Sequence, residues 1–146
     1  MEIKGLWMSL KISPLKFKLN NGKNLPLTIF GSQKLKSINY IEKKGSAQCK
    51  SSVIFGGMRT NGTTTIKAKK SRNHQELLAK YLKLPLTVNR KKNIDIIKVN
   101  KASSIKPLNY KIPSDISSAS FFIVLTLLSV DSSITIKNVN INPTRV

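Results

Sequence analysis

Acidic residues are what this chain has least of: six aspartates and glutamates stand against twenty-six lysines and arginines in 146 residues, a formal charge of +20. Taken alone, that charge points to nucleic acid, because clustered cations neutralise phosphates and release counterions. The clustering is missing. Lysines are spread along the chain, as pairs at Lys43-Lys44, Lys69-Lys70 and Lys91-Lys92, with no long basic run and no interleaved aromatics on which bases would stack. Arginine is scarce as well, with four, at positions 59, 72, 90 and 145, whereas phosphate and base recognition favours the bidentate guanidinium. A compositional habit in which lysine, asparagine and isoleucine replace other residues explains the charge better. No nucleic-acid partner is expected, although a basic surface suits a small anionic ligand.

Cysteine and histidine are nearly absent. The single Cys49 excludes an internal disulfide, and Cys49 with the single His74 cannot assemble a four-ligand zinc site. No metal and no cofactor are expected, and Cys49 reads as a small packed side chain. No apolar run approaches the ~18 to 20 residues of a membrane span. The longest, residues 121–128, is broken by Thr126 and suits a buried helix of a soluble protein. Residues 1–19 carry neither a sustained apolar stretch nor a small-residue cleavage site, so a cytoplasmic protein with no membrane partner is expected. The length suits one domain with a real core, since domains commonly run ~100 to 150 residues, and does not suit two complete ones.

The hydrophobic period changes several times, as in an α/β chain. Residues 25–31 and 36–41 read as short strands, with Gly31-Ser32 as the turn between them. From Ser46 the pattern is helical: Val53, Ile54 and Met58 keep an apolar stripe, and the small Ser51, Ser52, Gly56 and Gly57 permit close packing. Asn61-Gly62 breaks that helix. Residues 63–67 form a β-branched strand, and residues 73–82 carry Leu77, Leu78, Tyr81 and Leu82 at helical spacing, ended by Pro85. Strands follow at 86–88 and 94–99, joined by a polar turn. After a stretched segment with Pro107 and Pro113, Asp115 is placed to cap a helix running to about Ser129, with Ser117 and Ser118 as alternative caps. Residues 134–136 read as a closing strand.

Three motifs stand out within this pattern: Ser46-Ala-Gln-Cys-Lys50, Ser71-Arg-Asn-His74 and Ser114-Asp-Ile-Ser-Ser-Ala119. In that order and spacing, with Leu25-Pro-Leu-Thr-Ile29 ahead and Asn142-Pro-Thr-Arg145 behind, the chain resembles the EPSP synthase (3-phosphoshikimate 1-carboxyvinyltransferase) family. The likeness covers roughly residues 24–146, and the first twenty or so align poorly. It implies a mixed α/β (α+β) fold of βαβαββ units, part of the family's inside-out α/β barrel. It also implies two domains facing one another across a cleft, here incomplete: residues 1–112 in the first, substrate-binding domain, and residues 113–146 as the crossover and the start of the second. The implied activity moves the enolpyruvyl group of phosphoenolpyruvate to the 5-hydroxyl of shikimate 3-phosphate, releasing phosphate, in aromatic amino acid biosynthesis. A monomer is implied for the full-length enzyme.

Both substrates are phosphorylated anions, which a helix N-terminus, hydroxyls and cationic forks bind well. Ser46 follows Gly45 at an expected helix start, so its hydroxyl and the N–H groups of Ala47 and Gln48 can face a phosphate. By the resemblance, Ser46, Ala47, Gln48 and Arg72 bind shikimate 3-phosphate, and Gln48 also lies near phosphoenolpyruvate. His74 reads as a structural hydrogen-bonding residue and Asp115 as a cap and hinge. The family's lysine, serine and acid-base carboxylates find no counterpart, so no catalytic group is assigned, and the chain alone is expected to be inert. Two departures are visible. Asn73 replaces the family's aspartate and keeps an N-capping oxygen. Ser114 replaces a glycine, and either bends the crossover or takes an ordinary conformation. The alternatives are a relative acting on UDP-N-acetylglucosamine, and a non-enzymatic basic module for anions or nucleic acid.

Overall fold

The computed structural model describes residues 16–20 and 24–144. Residues 1–15 and Arg145 of the closing motif lie outside the described residues. Two antiparallel strands come first, β1 (Lys16–Asn20) and β2 (Asn24–Phe30), with Phe17 opposite Ile29 and Lys18 opposite Thr28. The sequence reading has no strand at β1, although Lys16-Phe-Lys-Leu19 alternates with the period of two that marks one.

The elements that follow are β3 (Asn39–Glu42), α1 (Ala47–Gly57), β4 (Thr64–Lys69), α2 (His74–Tyr81), β5 (Leu86–Arg90) and β6 (Ile94–Val99). They make one complete βαβαββ unit. Its four-stranded sheet has the order β3-β4-β6-β5, with β3 parallel to β4 and the other pairs antiparallel. A parallel pair cannot be joined by a hairpin, and α1 supplies the crossover. The second strand starts at Asn39 rather than at Lys36, because Lys36 makes only an isolated bridge to Asn61.

Side chains alternate across this sheet. Tyr40 and Glu42, Thr64, Ile66 and Ala68, and Asp95, Ile97 and Val99 are buried on one face. Their registers place Tyr40 beside Ile66 and Ile66 beside Ile97, so one row crosses three strands. Val53, Ile54 and Met58 of the first helical segment and Ala79 of α2 cover that face. The valine, isoleucine and methionine side chains each contribute roughly 1.5–3 kcal/mol on burial. The opposite face keeps Lys67, Lys69 and Lys98 exposed. Lysines are confined to the uncovered face because a pleated strand sends neighbours to opposite sides.

Of the small residues in α1, Gly57 permits close packing: a Cβ there would lie 3.0 Å from the Cβ of Thr64. Gly56 faces open space. The helix closes at Met58, earlier than the Asn61-Gly62 breaker.

The chain divides into two compact units, Met1–Lys106 and Pro107–Val146. The second contains α3 (Ile116–Leu128), capped by Asp115, whose carboxylate accepts from the Ser117 N–H at 3.1 Å and from the Ser118 hydroxyl at 3.1 Å. No residue of α3 is buried; Phe121, Leu127 and Leu128 are each 80% exposed. Within this chain α3 is therefore not the buried helix that its composition suggests. Apolar residues surround α3 on every side, so burial would need neighbours all round it, whereas only the row Ile116, Ala119, Ile123 and Thr126 is half-covered by the described residues. Residues 134–136 form no strand either. Extension becomes a strand only when a ladder forms, and here pairing is limited to one parallel bridge, Ser114 to Val139. Ser114 donates its N–H to the Asn138 carbonyl and its hydroxyl to the Lys137 carbonyl, at 2.7 and 2.9 Å. Among the described non-glycine residues only Lys83, Asp131 and Asn138 have positive φ, so Ser114 takes an ordinary conformation.

Candidate functional site

Parallel neighbours carry their following loops to the same end of a sheet, and ligands of α/β folds bind outside the carboxyl ends of such strands. β3 and β4 are the parallel pair, and the loops that leave them carry Gly45-Ser46 and Ser71-Arg72. The two loops meet. A Cβ on Gly45 would lie 3.3 Å from the Lys70 carbonyl oxygen, and Gly45 has φ +74. Both the conformation and the close approach demand glycine there.

Each loop is held by a buried acid. At the end of β3 the Glu42 carboxylate accepts from the Lys44 N–H at 2.9 Å and from the Gly45 N–H at 2.6 Å. That clamp fixes the entry to α1. Ser46 is its N-cap, its hydroxyl accepting from the Cys49 N–H at 3.2 Å. The backbone N–H groups of Ala47 and Gln48, in the first turn, have no intrahelical acceptor available, as in any helix start. They join the partial positive charge of the helix terminus. Ser46 and Ala47 are half-buried, and Gln48 is exposed.

The second loop is tied to the first helix by Lys50, one turn beyond Ser46. Lys50 has no exposed surface, and its ammonium donates to the Arg72 carbonyl at 3.0 Å. It also meets Glu76 Oε1 at 2.6 Å, an ion pair rather than a directed hydrogen bond. Glu76 is buried in the first turn of α2, where a carboxylate also complements the helix dipole. Breaking such a buried pair by removing one partner costs roughly 3–5 kcal/mol. The Arg72 side chain itself is exposed, while the Ser71 hydroxyl is buried without a hydrogen-bond partner among the described residues.

Asn73 occupies the N-cap position of α2 but makes no side-chain cap bond, contrary to the expectation of an N-capping oxygen. Its backbone lies at φ -115, ψ 22, outside the extended geometry from which a cap side chain reaches back to the first turn. His74 opens the helix and is half-buried. Tyr40, buried on β3, has its phenol pushed above the ordinary value by burial, and further by the neighbouring Cys49 and Glu42.

Three of the four expected binding residues, Ser46, Ala47 and Gln48, therefore sit at the N-cap and first turn of α1 and the fourth, Arg72, on the adjoining loop, which Lys50 ties to that helix. A separate polar depression, lined by Gly31, Ser32, Gln33, Leu35 and Arg59, contains none of them. Sequence reasoning missed Glu42, Lys50 and Glu76. For the two glutamates the available signal is scarcity, since the chain has only six acids. Glu42, Glu76 and Asp95 are buried, and Asp115 caps α3.

A family model described as EPSP synthase (3-phosphoshikimate 1-carboxyvinyltransferase) matches residues 5–146. The chain belongs to the EPSP synthase family. The match begins at residue 5, ahead of residue 24 where the likeness of the motifs starts. Relatives named 3-phosphoshikimate 1-carboxyvinyltransferase include one from Endomicrobium trichonymphae, 43% identical over 88% of this chain and 29% of the relative. Another, from Caldicellulosiruptor bescii, is 43% identical over 83% of this chain and 28% of its own length. The solved EPSP synthase of Acinetobacter baumannii superimposes with a TM-score of 0.71 at 26% identity, covering 98% of this chain and 32% of that one. The chain thus spans a little under a third of the length of the EPSP synthases it matches. The family is that of a carboxyvinyltransferase, and its mixed α/β fold agrees with the βαβαββ unit at residues 39–99.

Proposed function

We propose that this chain supplies the shikimate 3-phosphate-binding face of a transferase that moves the enolpyruvyl group of phosphoenolpyruvate to the 5-hydroxyl of that substrate. The observation that carries the proposal is the meeting of the two loops that leave two parallel strands at their carboxyl ends, with Gly45 against the Lys70 carbonyl and Lys50 of α1 bound to the Arg72 carbonyl. Ser46, Ala47 and Gln48 offer a hydroxyl and two N–H groups at a helix N-terminus, a natural seat for a phosphate. Arg72 adds a planar cationic fork that holds a phosphate or a vicinal hydroxyl pair through two bonds. Gln48, exposed at the end of the helix, also faces phosphoenolpyruvate in this reading. Residues 1–112 then belong to the first domain and residues 113–146 to the crossover and the opening of a second. In this reading the full-length enzyme is a cytoplasmic monomer with no nucleic-acid or membrane partner.

None of the four residues is a proton donor or acceptor suited to the transfer, so the chain binds and does not turn over. Calorimetric titration tests this directly. Shikimate 3-phosphate is expected to bind the 146-residue chain, and Arg72→Lys to weaken binding by about tenfold, the scale of one charge-assisted hydrogen bond. UDP-N-acetylglucosamine is expected not to compete. Equal binding of any phosphate monoester, unaffected by Arg72→Lys, would contradict the assignment. Phosphoenolpyruvate consumption by the pure chain, dependent on shikimate 3-phosphate, would overturn the inert role.

A further inference from the structure

We propose that Lys50 is a positioning residue of this site: its buried ammonium sets the Arg72 loop against the N-terminus of α1, and shikimate 3-phosphate binding depends on that setting. The inference rests on the functional reading above and adds a residue to it. Lys50 has no exposed surface and cannot touch a ligand. Its reach is nonetheless specific. Its backbone N–H donates to the Ser46 carbonyl at 3.1 Å, so its stem springs from the same turn that Ser46 caps. At its other end the ammonium holds the Arg72 carbonyl at 3.0 Å and Glu76 of α2 at 2.6 Å. One side chain therefore spans from the phosphate-facing helix to the backbone of the residue that supplies the guanidinium.

A lysine buried only for stability needs a carboxylate, and Glu76 meets that need. The bond to the Arg72 carbonyl is a second tie, made to a loop residue whose own side chain is exposed. A buried charge is also a demanding spacer, because moving the loop away would leave the ammonium short of an acceptor in a dry interior. The loop is accordingly held at one distance from the helix before any ligand arrives, which lowers the ordering cost of binding.

The decisive variant is the double replacement Lys50→Met with Glu76→Leu. It removes both charges together, so that no unpaired ion is left inside and the unit keeps its packing. The inference predicts a urea midpoint close to wild type, shifted amide resonances at residues 71–73, and shikimate 3-phosphate affinity lower by about tenfold or more, since small displacements of a positioned group cost up to roughly a hundredfold. A folded double variant with wild-type affinity and unshifted resonances would overturn it while leaving the functional reading intact. If wild-type chain itself shows no affinity for shikimate 3-phosphate, the functional reading falls, and this inference with it. A measurement without any substitution runs in parallel: the Lys50 side-chain 15N resonance is expected to move during the titration with the same midpoint as the Arg72 amide. A Lys50 signal that stays fixed while Arg72 responds contradicts the coupling.

Discussion

The helices α1 and α3 are both apolar, and only α1 is packed. In α1 the stripe formed by Val53 and Ile54 is buried in one core with Tyr40, Ile66, Ala68, Ile97 and Val99 of the sheet's inner face. In α3 apolar side chains point in all directions and none is buried. The capping chemistry is equally sound in both, with Ser46 and Asp115 each accepting a first-turn N–H. Local signals thus start a helix, whereas its burial is decided by whether a complementary layer exists. Residues 39–99 contain that layer, and the described part of the second unit, residues 107–144, does not.

The comparison is most sharply tested in the two apolar sets themselves. Ile66→Ala opens a hole in the row Tyr40, Ile66, Ile97 and is expected to cost about 2–5 kcal/mol in urea unfolding. Leu127→Ala, at an exposed position, is expected to change stability by less than about 0.5 kcal/mol. A large loss from Leu127→Ala would mean that α3 is packed after all.

Two adjacent glycines give the next contrast. Gly57→Ala drives a Cβ to 3.0 Å from Thr64 and should destabilise by about 1–3 kcal/mol. Gly56→Ala meets nothing and should be neutral or stabilising by up to about 1 kcal/mol, from helix propensity alone. Equal effects in thermal melts would show that α1 does not lie so close to β4.

Capping separates the units again. Ser46→Ala is expected to lower the stability of the sheet unit by about 1 kcal/mol, because α1 is part of its core. Asp115→Ala should reduce helical circular dichroism while leaving that transition unchanged. The smallest effect belongs to Tyr40. Its proton is held more tightly in the folded chain than in the unfolded one, so its contribution is intact below the ordinary pKa of 10.0 and is lost as pH rises through the raised folded value. Tyr40→Phe should flatten the alkaline fall in melting temperature above pH 10 and leave neutral pH almost unaffected.

Much of this was legible in the residues. The β-branched run at 63–67 and the isoleucine-rich run at 94–99 announced the central strands, and Ser46 and Asp115 announced their helices, because those signals are local. The αβ rhythm and the three motifs together named the fold. The strand expected at 134–136 failed because β-branched residues favour extension but cannot provide a partner. Lys50 was invisible for a related reason. In a chain with twenty-six cations no lysine looks special, and its burial arises only when the first turn of α2 comes up against α1. The scarce acids would have been the better guide, since Glu42 holds the first loop of the site and Glu76 the lysine that ties the second.

The central claim is that the two loops bind one phosphorylated ligand together. Its most direct test is a titration of uniformly 15N-labelled chain with shikimate 3-phosphate, followed amide by amide. The account predicts saturable shifts confined to residues 45–48 and 71–73, all with one midpoint. Weak, unsaturable shifts spread over Lys67, Lys69 and Lys98 on the open face of the sheet would contradict it, and would mark diffuse attraction to a basic surface instead.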